Sequence, residues 1–470
     1  MYLILGMGQT GMSLAEYLFA SHCPFVSLDT REDSARDQRL RQRYGEHCVA
    51  AWPQDDSACR KLLAQAANGV MLSPGVDPKQ PQVAALLKQA AQMGVAVRGD
   101  LDLYFTLSTR PRVLVTGSNG KSTVAQWLTE ALSALGYRVA LGGNFGTPAL
   151  DLLSQPADID VLEVSSFQLE TVHTISSLAA VWLNLSPDHL DRHADMVNYA
   201  QLKAKIFKHT ACAVANADDA AIAPYMGAHM PMQTFSLTRT DTFAHIDTRD
   251  GKNWLVVAGQ LILPVDELAL PGRHNQANAL AVLVMLAAVA GNRALQQPAV
   301  TAVLRGFTGL EHRMELVDEH CVDGVVCRYI NDSKATNVGA TQAAVAGMTS
   351  PFGVILGGVR KGQDFVALAT TLRESKAVVG LIGEDQRPLA DLLASAGVPV
   401  LACDAAEQLP ELLADMTRRL VDLAQQAAVC EVTVLFSPAC ASFDWYNNYQ
   451  SRGVAFKNSV VALDQLEVSA

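Results

Sequence analysis

The run VLVTGSNGKST sets Gly117, Gly120, Lys121 and Ser122 directly after an apolar segment and directly before a helical pattern. A strand, turn and helix in that order surround a phosphate with backbone N–H groups and a helix N-terminus. The lysine then faces the phosphate charge, and the hydroxyl faces Mg²⁺. Val115 stands where the common phosphate loop has its first glycine, so this is a variant of that loop. Phosphoryl chemistry also needs an acidic partner for the metal near the end of a neighbouring strand. Glu163, closing the apolar run IDVLE, has that place, with a solvated strand-end carboxylate as the competing reading. NLSPDHLDRH ends a further apolar run in Asp188, His189 and Asp191.

Later in the chain the same theme recurs without a phosphate loop. RYINDSKATN places Asp332, Lys334 and Thr336 beyond an apolar run, VILGGVRKGQDF does so with Lys361, and LFSPACASFDW with Ser437, Ser442 and Phe443. Polar groups just past strand carboxyl ends are where open α/β sheets hold ligands, and lysine beside Ser or Thr suits an anion. Singly, each has a loop-stabilising role as its alternative. The chain opens on MYLILGMGQTGMS, where Gly6, Gly8 and Gly11 have dinucleotide-binding spacing and Asp29 closes the next apolar run. That geometry fits any nucleotide diphosphate. An NAD-dependent oxidoreductase is the rival reading, and it leaves GSNGKST and Glu163 without a role. A non-catalytic nucleotide switch is the other rival, and it leaves the polar edge of the last series unexplained.

These residues need parallel sheets to position them, and the chain alternates short β-rich and helical runs throughout. The alternation restarts after STRPR and again near Arg313, with hairpin strands expected (FAHIDT, NWLVVAG, QLILPV) before the last series. Boundaries are expected near residues 103 and 310, giving segments 1–103, 104–309 and 310–470. The 470 residues are 50% hydrophobic and 18% charged with net charge −11, which argues against a nucleic-acid or anionic-membrane binder. Nine cysteines without a C-x-x-C pair fit reduced thiols. The longest apolar run, ALAVLVMLAAVAG from Ala279, is too short to span a bilayer. A cytoplasmic monomer with no signal peptide, no nucleic acid and no membrane insertion is expected.

Taken in order, GSNGKST, LEVSSFQLE, NLSPDHLDRH, GRHNQANAL, LEHRMELV, INDSKATN, GGVRKGQDF and SPACASFDWYNNYQSRG resemble the motifs of the bacterial Mur ligases. The resemblance covers essentially the whole chain and is nearest to the glutamate-adding member. It implies an α/β fold of three domains. The first is a Rossmann-like N-terminal domain binding a UDP-linked substrate. The second is a central P-loop ATPase domain with a mainly parallel sheet plus a small antiparallel sheet. The third is a C-terminal Rossmann-like α/β domain that receives the amino acid. The implied activity is an ATP-dependent amide-forming ligase of peptidoglycan precursor synthesis. Its small-molecule substrates are UDP-N-acetylmuramoyl-L-alanine and D-glutamate, although the residues alone would serve either enantiomer.

The same resemblance assigns residues. Thr10, Asp29, Thr30 and Arg31, with Ser73 and Gly75, hold the uridine diphosphate. Gly117, Ser118, Asn119, Gly120, Lys121, Ser122 and Thr123 wrap the ATP phosphates, Asn275 and Asn278 face the adenine, and Arg313 and Asp332 reach the nucleotide. Ser122 and Glu163 bind one Mg²⁺ and His189 a second, joined by Lys203 if that lysine is carbamylated. Lys121, Glu163, His189 and Lys203 are therefore the implied catalytic group. Asn144, Ser165 and Gln168 contact the muramoyl-alanine end. Lys334, Thr336, Lys361, Ser442, Phe443 and Tyr449 make the glutamate and C-terminal contacts. Phe443 and Tyr449 are aromatic where the family is apolar, and Lys205 stands close enough to Lys203 to compete for its register.

Overall fold

The computed structural model describes residues 1–226, 232–348, 351–360 and 362–467, so Lys361 lies outside the described residues. Among the described residues the strands form three sheets. The first contains β1 (Tyr2–Leu5), β2 (Phe25–Leu28), β3 (Val70–Leu72) and β4 (Val97–Arg98). Their order is β2-β1-β3-β4 and every pair is parallel. Leu3, Ile4 and Leu5 are wholly buried, as expected where helices cover both faces of a parallel sheet.

The second sheet contains β5 (Arg112–Thr116), β6 (Val139–Gly143), β7 (Ile159–Glu163), β8 (Ser177–Trp182) and β9 (Thr210–Asn216), followed by β10 (Met232–Ser236), β11 (Ala244–Arg249), β12 (Lys252–Val257) and β13 (Gln260–Pro264). It runs β13-β12-β11-β10-β9-β8-β5-β7-β6. The expected hairpins are present as antiparallel β11, β12 and β13, but they extend the parallel sheet through the β10–β11 pair rather than standing apart. The apolar run at Ala279 lies inside the helix Arg273–Ala290, buried continuously from Ala279 to Ala287. Among the described residues no helix is long and apolar enough to cross a membrane.

The third sheet contains β14 (Glu315–Val322), β15 (Val325–Asn331), β16 (Phe352–Gly357), β17 (Val378–Ile382), β18 (Val400–Ala402) and β19 (Glu431–Phe436). It is ordered β14-β15-β19-β16-β17-β18, with only β14–β15 antiparallel. The chain divides into two compact units. Met1–Leu185, Arg192–Leu268 and Asn275–Gly306 make the first; Ser186–Asp191, Ala269–His274 and Phe307–Ala470 make the second.

The first two sheets share a unit because buried polar contacts join them. The helix Asp100–Leu107, which runs across position 103, sends the Tyr104 hydroxyl to Asp160 on β7. Asp102 accepts the N–H groups of His173 and Thr174, each at 2.8 Å, and Ser13 donates to Asp151 at 2.6 Å.

Candidate active site

In the first unit, β5 ends at Thr116 and the helix Lys121–Ala134 begins five residues later, with the glycine loop between them. Gly120 has φ 81°, a left-handed conformation that glycine takes without strain. A Cβ there would also lie 2.7 Å from Asn278 Oδ1, so Asn278 closes one side of the loop. Asn184 fixes the other side, receiving the Asn119 N–H at 2.8 Å and donating to its carbonyl at 3.0 Å. Lys121 Nζ donates to the Gly117 and Ser118 carbonyls, both at 2.8 Å. Lys203, 1% exposed, donates to the same Gly117 carbonyl at 2.8 Å and lies 4.7 Å above the Tyr199 ring.

Strand register explains why the acid meets the loop. Val115 pairs with Glu163 and Gly143 pairs with Glu163, so β5, β7 and β6 end side by side. Ser122 Oγ donates to Glu163 Oε2, and Asn144 Nδ2 donates to Oε1 at 2.6 Å. A carboxylate and a hydroxyl in contact at a phosphate loop fit Mg²⁺, which takes one or two carboxylates and completes its shell with phosphate oxygens and water. Among the described residues, no cluster of three or more His, Cys, Asp or Glu could hold a metal unaided. Asn275 and Asn278 are buried on the helix Arg273–Ala290 and bonded to each other at 3.1 Å. Thr123 is buried in the first turn of the loop's helix.

Ser165 and Gln168 form a reciprocal capping box on the helix Ser166–Glu170, two residues past Glu163. The Gln168 amide also reaches Asp100 at 3.4 Å, so it is directed into the protein. Burial pushes the Asp100 carboxyl up to about 6.

The opening glycines divide their work. A Cβ on Gly11 would stand 2.0 Å from the Gly6 carbonyl oxygen, so Gly11 serves helix–strand packing, whereas nothing lies within 4 Å of a Cβ on Gly8. Thr10 sits in the first turn of the helix Gln9–Ala20 and Thr30 follows Asp29, both half-buried. Asp29 accepts the Met7 N–H at 2.6 Å and the Arg31 N–H at 2.9 Å, and pairs with Arg31 and Arg36 at 3.1 Å each. Burial raises its carboxyl, but hydrogen bonds from Arg31 and Met7 and the Arg36 charge outweigh that and hold it at about 2. Arg31 and Arg36 also line a cleft of about 1250 Å³ with Gly8, Glu16 and Arg39. Ser73 donates to the Gly6 carbonyl at 2.7 Å, and Gly75 is exposed beyond it.

In the second unit, Asn331 pairs with Phe436, so Asp332 and Ser437 emerge together. Ser437 Oγ donates to Asp332 Oδ2 at 2.8 Å, and the Met314 N–H donates to Oδ1 at 3.3 Å. Burial drives the Asp332 carboxyl up to about 7, against the pull of Ser437, the Arg313 charge, the Met314 N–H and Arg452. Lys334 Nζ lies 4.3 Å over the Tyr449 ring. Ser442 is buried, Thr336 half-buried and Phe443 exposed. His189 has φ 55° and lies 3.4 Å from Asp188, whose Oδ2 also accepts from Asn337 at 3.2 Å.

The Asp332 geometry has a pH consequence. The folded chain binds this proton more tightly than the unfolded chain, so its contribution to stability falls as pH rises from about 4 to about 7 and is level outside that window. Asp332→Asn is expected to remove this slope, melting above the wild type at pH 8 while the two converge near pH 4. A constant difference across calorimetric scans at those pH values would show that Asp332 is not held protonated.

Arg452 carried no signal in sequence beyond its place in QSRG, yet it is 1% exposed and holds this edge together. Its Nε and Nη2 donate to Ser333 Oγ and carbonyl at 3.0 and 2.7 Å, and Nη1 to the Cys440 carbonyl at 2.9 Å.

Similarity to known proteins follows these features. Residues 115–286 match the Mur ligase middle domain, and residues 1–99 match the N-terminal domain described as Mur ligase MurD-like. The UDP-N-acetylmuramoylalanine–D-glutamate ligase of Hahella chejuensis is 40% identical over 466 residues, covering 98% of each chain. The ligase of the same name from Pseudomonas syringae pv. syringae is 39% identical over 468 residues, again covering 98% of each. The crystal structure of UDP-N-acetylmuramate–alanine ligase from Thermotoga maritima superposes over 100% of this chain and 99% of its own, with TM-score 0.59 at 16% identity. That likeness is one of fold. On full-length relatives at this identity, and on both domain matches, the chain belongs to the Mur ligase family.

Proposed function

We propose that this Mur ligase joins D-glutamate to the alanyl carboxylate of UDP-N-acetylmuramoyl-L-alanine at the expense of ATP. The observation that carries the reading is the contact of Ser122, Glu163 and Asn144 at the foot of the Gly117–Lys121 loop. It stands in a chain 40% identical over its length to a ligase of that name. A carboxylate is a poor electrophile, so it first takes the γ-phosphoryl group of ATP. The amine of glutamate then attacks the acyl phosphate, and phosphate leaves as the amide forms. Lys121 offsets the negative charge that builds on the transferring group.

Ser122 and Glu163 would hold one Mg²⁺, which supplies charge neutralisation to the phosphate oxygens when bound. On the family's pattern a second ion would draw on His189 and a carbamylated Lys203. Thr10, Asp29, Thr30, Arg31, Ser73 and Gly75 are assigned to the uridine diphosphate, with Arg31 as its exposed cation. Asn275 and Asn278 are assigned to the adenine of ATP, and Arg313 and Asp332 to the nucleotide. Asn144 and Ser165 would face the muramoyl-alanyl end with Gln168 braced behind Ser165. Lys334, Thr336, Lys361, Ser442, Phe443 and Tyr449 are assigned to glutamate and its surround.

Phosphate release measured with ATP, Mg²⁺ and UDP-N-acetylmuramoyl-L-alanine is expected to rise on adding D-glutamate, and not on adding L-glutamate, D-aspartate or a diamino acid. No response to D-glutamate would sink the substrate assignment. No response to any amino acid would sink the ligase class.

A further inference from the structure

A buried cluster around Arg192 belongs to neither glycine loop, yet it reaches a turn beside the first and touches the second directly. The Arg192 side chain is 7% exposed and pairs with Glu170, Nε at 3.1 and 3.2 Å from the two oxygens and Nη2 at 2.5 Å. The guanidinium lies 4.2 Å over the Phe167 ring, and its Nη1 donates to the Pro74 carbonyl at 2.8 Å. Pro74 is the middle of the turn whose Ser73 hydroxyl is bonded to Gly6. One end of the cluster therefore grips the Ser73–Gly75 turn.

The other end reaches the phosphate loop. His193 Nδ1 is 3.4 Å from Glu170 Oε1, and Nε2 is 2.9 Å from Ser166 Oγ. A carboxylate beside Nδ1 favours the proton there, leaving Nε2 to accept from the serine. The ring stacks on Tyr199 at 5.0 Å and 15°, and the Tyr199 hydroxyl is 3.2 Å from Ser118 Oγ in the loop. Ser166 and Glu170 lie on the short helix that follows Glu163, so the metal-facing strand end is built into the same chain of contacts.

We propose that Arg192, Glu170, His193 and Tyr199 are positioning residues that set the Ser73–Gly75 turn in register with the phosphate loop, so that a UDP-linked carboxylate meets the phosphoryl group at reacting distance. The inference rests on reading the turn as a diphosphate site and the loop as the ATP site. Its physical basis is that the turn cannot shift without breaking the charge-assisted hydrogen bond from Arg192 to the Pro74 carbonyl, and that guanidinium is itself fixed by its pairing with Glu170. A displacement of about 1 Å at reacting atoms costs on the order of 10²-fold in rate. Misalignment also exposes the acyl phosphate to water, which attacks the acyl carbon, restores the carboxylate and releases phosphate without an amide.

The test is steady-state kinetics on the full-length wild type, Arg192→Leu, Arg192→Lys and Tyr199→Phe, with melting temperature and active fraction measured for each. Arg192→Leu is expected to raise KM for UDP-N-acetylmuramoyl-L-alanine about ten-fold or more, the loss of one charge-assisted hydrogen bond. It should also lower kcat and push phosphate released per amide formed above one, with KM for ATP nearly unchanged. Arg192→Lys should recover part of the loss, and Tyr199→Phe should move KM for ATP instead. If Arg192→Leu lowers only the active fraction, or shifts both KM values equally, the positioning role is overturned. A wild type without D-glutamate-dependent phosphate release overturns the ligase reading instead. In that case calorimetric affinity of the UDP-substrate decides the positioning role, weaker binding to Arg192→Leu upholding it and equal binding overturning it.

Discussion

Lys121→Ala is expected to lower kcat for ATP-dependent amide formation by about 10²–10³-fold, the usual loss on removing one preorganised group facing charge that develops in a transition state. The amine sits at the mouth of the glycine loop, bonded at 2.8 Å to the Gly117 and Ser118 carbonyls. Gly117 and Ser118 are buried, but the Gly117 carbonyl keeps a second donor in Lys203 at 2.8 Å and Lys121 itself is only half-buried, so the fold loses little when the side chain goes. Phosphate arriving in the loop takes over the lysine's hydrogen bonds, and the interaction strengthens as negative charge accumulates on the transferring group. The effect should therefore fall on the chemical step. Single-turnover rates should fall with kcat while the melting temperature stays close to the wild type. A loss under about ten-fold, or one confined to KM for ATP, would mean that Lys121 binds nucleotide without serving the transfer.

Arg452→Met is expected to destabilise the second unit by about 3–5 kcal/mol, since a buried acceptor left without its donor costs about 1–3 kcal/mol. Methionine approximates the aliphatic volume, but it leaves the Ser333 hydroxyl and carbonyl and the Cys440 carbonyl without their donor. Burial brings the guanidinium down to about 10, which still leaves it charged at neutral pH, so these acceptors surround a buried cation. Lysine cannot substitute, since three acceptors in different directions need the planar fork. The drop should be read as a lowered urea midpoint for that unit with an unchanged slope. A loss below about 1 kcal/mol would mean that water fills the guanidinium's place. Because the arginine joins the loop after β15 to the loop after β19, the same variant should weaken whatever Lys334 and Ser442 bind.

What the sequence disclosed, and what it withheld, divides along one physical line. Contiguous features were legible: the glycines, Lys121 and Ser122 fall in one turn, and Glu163 is marked by the apolar strand it closes. The parallel sheets were legible because buried strands read as unbroken apolar runs. β14 escaped notice because its residues, ELVDEHCV, suit a charged and largely exposed edge strand rather than a buried one. Arg452, Asp100 and the Arg192–Glu170 pair were also missed. Each is polar, each is buried by residues remote in the chain, and nothing local announces a partner 68, 22 or 119 positions away. Gln168 was legible as a polar residue at a site, but its direction depended on Asp100 from a different strand–helix unit.

Asp29 bears on how this first domain could be changed. It is the acid that a dinucleotide-binding domain turns toward a ribose, and here both oxygens are already held by Met7, Arg31 and Arg36. Converting the domain to accept NAD would begin with subtraction: two guanidinium groups occupy the acid where a ribose would bind, while the Met7 and Arg31 backbone N–H groups would stay to orient it. Adding a ribose ligand by point substitution would achieve nothing, since the ligand is present and engaged. Retooling experiments that start from the glycine spacing alone would thus begin at the wrong residues, and a selection for dinucleotide binding should first recover changes at Arg31 and Arg36.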